Sequence, residues 1–173
     1  MFTDFGKNEA TFDFVNKMID KYYDELEKNS EYIMPVYSYG DIVRNMDEGK
    51  ISALLTIEEG EVCEGDVEKL RSLYSRGVRM MTFTWNFSNC LGSPNSREDK
   101  GSFVNTEKGL TEKGFEILDE MENLGIIPDV SHLSDKGFYD VLKASKKPFV
   151  ASHSNSREIC KHPRNLSDDM IKG

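Results

Sequence analysis

The chain lacks most of the features that assign a protein's class at a glance. Cysteine is scarce: Cys63, Cys90 and Cys160 are the only three in 173 residues. They are odd in number, far apart and form no Cys-x-x-Cys pair, which argues against a disulfide framework and against a cysteine-rich zinc site. Free thiols in a reducing compartment are the expectation, and with them a cytoplasmic location. No apolar run approaches the ~20 residues of a membrane span, and no basic-then-apolar start marks a signal peptide. Positive charge is also short: 22 Lys and Arg against 31 Asp and Glu leave a net charge of -9. No basic patch is rich enough to neutralise many phosphates, which argues against nucleic-acid binding. Neither common glycine-rich phosphate loop is present, and no self-similarity at a fixed period marks a repeat protein.

What is present reads as one α/β domain over residues 1–173, with 38% hydrophobic and 31% charged residues and enough length for a real core. Phe12, Val15, Met18, Ile19, Tyr22, Tyr23 and Leu26 recur at helical spacing and predict an amphipathic helix from Asn8 to Asn29. A short helix from Tyr39 to Glu48 follows, with Gly49 to end it. Residues Ile51 to Ile57 form a nearly continuous apolar run, the signature of a strand buried on both faces. Val67, Leu70, Leu73 and Tyr74 then return to helical period. The pattern repeats: a strand from Val78 to Thr84, a polar loop from Gly92 to Asn105, and a helix from about Thr106 to Leu124. It repeats again with a strand from Ile126 to Val130, a helix capped by Ser134, a strand from Pro148 to Ser152 and a short helix after Asn155. Four strand–helix units in series predict parallel strands.

Polar residues gather at the strand ends. Glu58 follows the first strand, Trp85 and Asn86 the second, His132 the third and His153 the fourth. C-terminal strand ends share one face in parallel α/β folds, so these groups can converge. A carboxylate with two imidazoles suits a first-row metal, zinc above all; strand-end histidines also serve as acid–base groups. Two of the three histidines sit at equivalent places, each directly after a serine. His162 reads as a solvated surface histidine. Glu59 and Glu61 read as loop charges, and the acidic stretches Asp24 to Glu31 and Glu112 to Glu122 as solvated helix faces. Asp129, inside an apolar strand beside the site, either orients a ligand or caps a neighbouring backbone group.

At these residues the sequence resembles the renal (membrane) dipeptidase family of zinc metallopeptidases. The match runs through Gly109-Leu-Thr-Glu-Lys-Gly114, Glu120-Met-Glu-Asn-Leu-Gly125, Asp129-Val-Ser-His132, Pro148-Phe-Val-Ala-Ser-His153 and Arg164-Asn-Leu-Ser-Asp-Asp169. Upstream, Gly49-Lys-Ile to Glu58 and Gly77-Val-Arg79 to Asn86 resemble the family's preceding strands. The resemblance implies a (β/α)₈ TIM-type barrel with a binuclear zinc site that hydrolyses dipeptides. It implies Glu58 as the carboxylate bridging both ions, His132 and His153 as ligands of the second ion, and Arg164 near the substrate. Trp85 stands where some members carry a substrate-contacting histidine, with Asn86 next to it. The family's first ion takes a His-x-Asp pair from the opening strand and a late aspartate, and this sequence has no His-x-Asp. A closed barrel takes ~250 residues, so the chain reads as a partial barrel without the first and last strands, with ligands for one ion. Unpaired edges would drive association, which predicts a homo-oligomer. A catalytically incomplete module that binds one metal is the rival expectation. A deaminase-like amidohydrolase would need an early His-x-His pair and a strand lysine, and neither pattern appears.

Overall fold

A computed structural model of the chain describes residues 12–98 and 101–173. Helix α1, Phe12–Lys28, buries Val15 and Ile19, one turn apart, against the sheet; the start of the predicted helix, from Asn8, lies outside the described residues. Strand β1, Ile33–Val36, was not expected: it is short and carries Pro35, which a strand tolerates at an edge. Helix α2, Tyr39–Asp47, opens with a reciprocal capping box between Ser38 and Asp41. The predicted strand 51–57 is two pieces, β2 (Ile51–Leu54) and β3 (Thr56–Ile57). A 3₁₀ turn at Gly60–Cys63 leads to α3, Val67–Ser75, and then to β4, Met80–Thr82. The stretch expected to be only loop contains an antiparallel hairpin, β5 (Ser96–Glu98) and β6 (Gly101–Phe103). Helix α4, Glu112–Leu124, β7, Ile127–Asp129, and α5, Asp135–Ala144, complete the main repeat. The short helix α6 is Asp168–Lys172.

Two expected boundaries fail for identifiable reasons. Helix α4 begins six residues later than predicted because residues 105–110 spend their backbone groups elsewhere. Asn105 Oδ1 accepts from the Glu107 and Lys108 amides, and Asp140 accepts from the Leu110 amide. Thr111 then caps the helix, accepting from Gly114 N. No helix starts at Asn155, because Ser156 pairs with Leu166 and the Arg157 guanidinium grips Asp135 through two bonds of 2.7 Å each. The predicted strand 148–152 shrinks to one parallel pairing, Val150 with Asp129.

All the sheet pairings apart from the hairpin and isolated antiparallel bridges are parallel. β1 pairs with β2, β3 with β4, and β4 with β7. The break between β2 and β3 is a change of partner at Leu55, whose carbonyl accepts from Arg79 N at 3.0 Å. The ladder then continues to Val150 through Val150 N to Pro128 O, 2.9 Å, and Val130 N to Val150 O, 2.8 Å. Strand order therefore follows chain order with no reversal. That is the winding of a (β/α) barrel, here an open arc of one, and not of a doubly wound sheet. Leu70, Leu73, Ile117, Met121 and Val141 from the crossover helices pack with Ile57, Met81 and Phe83 from the strand region in one core. At the Val150 end an apolar groove of about 620 Å³ opens between α5 and α6, away from the polar strand ends. Among the described residues no helix is long and apolar enough to cross a membrane. Cys63, Cys90 and Cys160 are all free thiols.

Gly114, in the first turn of α4, shows how closely the layers meet: a Cβ there would lie 2.0 Å from the Leu91 carbonyl oxygen. Gly114→Ala is expected to destabilise the fold by about 1–3 kcal/mol in urea unfolding, overriding alanine's better helix propensity. Gly40→Ala in α2, whose nearest neighbour would be Ser38 Oγ at 3.6 Å, should instead stabilise by about 0.5 kcal/mol.

Candidate metal centre

Glu58 is the first residue after β3. Asp129 and Val150 face each other in the parallel ladder, and His132 and His153 each lie three residues beyond them. This equivalence brings two imidazoles to one place. His132 Nε2 lies 2.9 Å from Glu58 Oε1, and His153 Nε2 lies 3.3 Å from the same oxygen. The two rings meet edge to face with centroids 5.0 Å apart. One donor atom from each of the three residues falls within 4.8 Å of the others, and this is the one such cluster of three or more among the described residues.

The surroundings favour a cation. His132 is 2% exposed. Burial first, then the positive charge of Arg164 and the neighbouring His153, hold its pKa down to about 3, against a weaker opposing contact from the Trp85 backbone. The ring is therefore neutral, as a ligand must be. Its backbone sits at φ 71, a left-handed conformation that is uncommon for a residue with a Cβ and collects at functional sites. Asn95 N donates to its carbonyl at 3.0 Å and holds it there. Two nitrogens crowding one carboxylate oxygen at 2.9 and 3.3 Å match the edge of a tetrahedral site, about 3.3 Å for metal bonds of about 2.0–2.1 Å.

His153 is oriented by a relay. Ser152 Oγ donates to Asp129 Oδ2 and lies 2.8 Å from His153 Nδ1. With its own proton committed to a carboxylate, the hydroxyl accepts from Nδ1–H, which fixes the ring with Nε2 turned to Glu58. Asp129 Oδ1 also accepts from the Ser131 and Ser152 amides at 2.9 and 3.1 Å. Asp129 thus caps neighbouring backbone amides and, through Ser152, also reaches the His153 ring. The serines before the histidines are explained as well, since Ser131 Oγ accepts from His153 N at 3.1 Å.

Other predicted residues fall nearby. The Trp85 ring leans over His132, centroids 6.3 Å apart. Asn86 is half-buried directly after it and takes no part in the hydrogen bonds of the cluster. Arg164 is half-buried; burial pulls its pKa down and the Glu58 charge pulls it back up, and its Nε is buried without a hydrogen bond. His162 is half-buried, not simply solvated: its Nδ1 accepts from Arg164 N at 3.2 Å and shapes the turn that presents Arg164. Glu59 departs furthest from expectation. It is 3% exposed, and burial raises its carboxyl pKa to about 7 against the pull of bonds from Asn89, Glu61 and Trp85. Glu61 is likewise engaged, accepting from Cys90 N at 2.7 Å. Nothing in the run Glu58-Glu59-Gly60-Glu61 distinguishes these partners, which apart from the Glu61 amide come from residues 85–90.

A polar cluster at the C-terminal ends of parallel strands, with a carboxylate and two imidazoles facing one point, is an arrangement that could hold a metal ion in a protein of the barrel class. Comparison with known proteins gives the family. Residues 3–173 match Membrane dipeptidase (Peptidase family M19), and the chain belongs to that family. An uncharacterised protein from the pqqA 5′ region of Klebsiella pneumoniae is 33% identical over 135 residues, covering 78% of this chain and 49% of that protein. An amidohydrolase from Pseudomonas aeruginosa superposes with a TM-score of 0.84 at 29% identity, over 95% of this chain and 48% of the other. A metallo peptidase from Rhodobacter sphaeroides, liganded with a phosphinate mimic of the dipeptide L-Ala-D-Ala, gives 0.77 at 25% identity over 88% of this chain and 43% of that one. The chain therefore spans about half the length of the relatives it matches.

The two displaced pKa values make opposite contributions to the pH dependence of the metal-free protein. His132 falls from 6.5 to about 3, so its stability contribution is complete above pH 6.5 and is lost as pH falls below it. Glu59 rises from 4.5 to about 7, so its penalty is complete above pH 7 and relieved on acidification. Comparison of variants separates them: in urea unfolding between pH 7.5 and 5, His132→Gln should lose about 1–2 kcal/mol less than the parent protein. Equal losses would contradict a neutral buried ring.

Proposed function

We propose that the chain binds one zinc ion through Glu58, His132 and His153 and serves the hydrolysis of dipeptides. The observation that carries this reading is the meeting of both Nε2 atoms at Glu58 Oε1. Family membership supports the reaction class, and the dipeptide mimic bound by the Rhodobacter sphaeroides relative supports the substrate class. Zinc suits a mixed carboxylate and imidazole set. When bound there it would supply Lewis acidity toward the scissile carbonyl and lower the pKa of a water.

The chain's own residues supply the rest. His132 stays neutral by burial. Asp129 and Ser152 hold His153 with its free nitrogen toward the site. Arg164 offers a charge-assisted partner for the substrate carboxylate, and Trp85 with Asn86 walls the pocket against water. No His-x-Asp occurs in the sequence, so a one-ion site is the reading for these residues, with activity at a cytoplasmic location. Among the described residues the sheet edges at β1 and Val150 carry no further strand, which supports assembly with a second copy. A metal-binding but non-catalytic module is the second reading, favoured by the one three-residue donor cluster found among the described residues.

Zinc analysis of the purified chain, paired with a dipeptide-hydrolysis assay, tests the proposal. We expect one zinc per chain and hydrolysis that falls at least about 100-fold in His132→Ala. Two ions per chain would contradict the one-site reading, and none would contradict the site. Bound zinc without hydrolysis would establish the second reading.

A further inference from the structure

We propose that Glu59 is a positioning residue whose buried carboxylate clamps the loop after β3 to the loop after β4, and so fixes where Glu58 meets the two imidazoles. The inference rests on the metal-site reading above. Glu59 is unfavourable where it stands, in two respects. Its backbone lies at φ 86 and ψ 92, on the side that favours glycine. Its side chain is 3% exposed, with no ion pair among the described residues, although an isolated carboxylate is costly to bury. An observed outlier of this kind next to a ligand points to a role.

The hydrogen bonds show what the role is. Glu59 Oε2 accepts from Trp85 N at 3.0 Å, and Oε1 accepts from Asn89 Nδ2 and from Glu61 N. Its own amide donates to Thr82 Oγ1, on β4, at 2.8 Å. Asn89 is in turn fully committed. Its Nδ2 also donates to Phe83 O at 2.8 Å, and its Oδ1 accepts from Leu91 N and Gly92 N at 2.8 and 3.0 Å. One carboxylate thus gathers the Glu61 amide in its own turn, the backbone of the tryptophan leaning on His132, and the turn closing the β4 loop. Gly60 completes the closure, since a Cβ there would lie 2.7 Å from Leu91 Cδ1 and 2.8 Å from Thr82 O. The Glu58 backbone is held on both sides, by β3 before it and by this clamp after it. The clamp is purely geometric: Glu59 needs no contact with the ion.

Cobalt(II) is the probe, because its visible bands report the geometry of the site independently of turnover. The full chain and its Glu59→Gln and Glu59→Gly variants are titrated with Co²⁺, with circular dichroism to verify folding. Glutamine keeps the shape but sets an NH₂ group against the Trp85 amide; glycine relieves the backbone and removes the clamp. Both are expected to bind Co²⁺ about 10-fold or more weakly, with bands altered at saturation. Asn89→Ala, which cuts the clamp from its other end, should do the same and serves if a Glu59 variant does not fold. Parental affinity and parental bands in the folded variants would overturn the clamp while leaving the metal site intact. No Co²⁺ bands in the parent protein would overturn the metal-site reading and the clamp with it.

Discussion

Two imidazole nitrogens face a single carboxylate oxygen, at 2.9 and 3.3 Å, in a place where one of the rings is almost wholly removed from water. The carboxylate oxygen is satisfied there by an N–H from a ring or by a cation held between the three groups. Burial and the Arg164 charge keep the His132 ring from taking up a second proton. A divalent cation satisfies all three groups together. The rest of the strand-end architecture keeps these three side chains in place: a left-handed backbone at His132, a serine relay behind His153 and a buried carboxylate beside Glu58.

The parallel sheet makes the convergence possible. Asp129 and Val150 are ladder partners, so chain segments of equal length beyond them arrive together. Glu58 enters from β3, which lies on the other side of β4 from β7. The hydrogen bonds that fix this arrangement are mostly between side chains and backbone, which sets loops more firmly than side-chain pairs alone would. Asn95 illustrates this outside the ligand set: its amide holds His132 O, its Oδ1 accepts from Asn105 N, and its Nδ2 donates to Asp135 and to Pro163 O.

Much of this was legible in the residues. Hydrophobic period located the helices Val67–Ser75, Glu112–Leu124 and Asp135–Ala144, the second with its start placed six residues early, since each buries a stripe against the sheet. Apolar runs ending in Glu58, Trp85, His132 and His153 pointed to the strand ends, and the doubled Ser-His pattern picked out the two imidazoles that meet at Glu58. What the pattern hid was decided by distant partners. Leu55 looks like the middle of a strand, and only the competing registers of β1 and β4 make it a pivot. Residues 105–110 look helical until Asn105 and Asp140 claim their amides. Glu59 looks like any exposed acid beside a ligand, and its burial depends on Asn89, thirty residues away. Composition carries no trace of such pairings, because a carboxylate reads the same whether water or an amide faces it.

The central claim is that one cation shares Glu58, His132 and His153, and X-ray absorption at the zinc edge addresses it most directly. For protein carrying one equivalent of zinc, the account predicts a first shell of only nitrogen and oxygen at about 2.0–2.1 Å, with the outer-shell scattering of two imidazoles. A sulfur neighbour at about 2.3 Å, or a shell without imidazole, would place the ion elsewhere and contradict it.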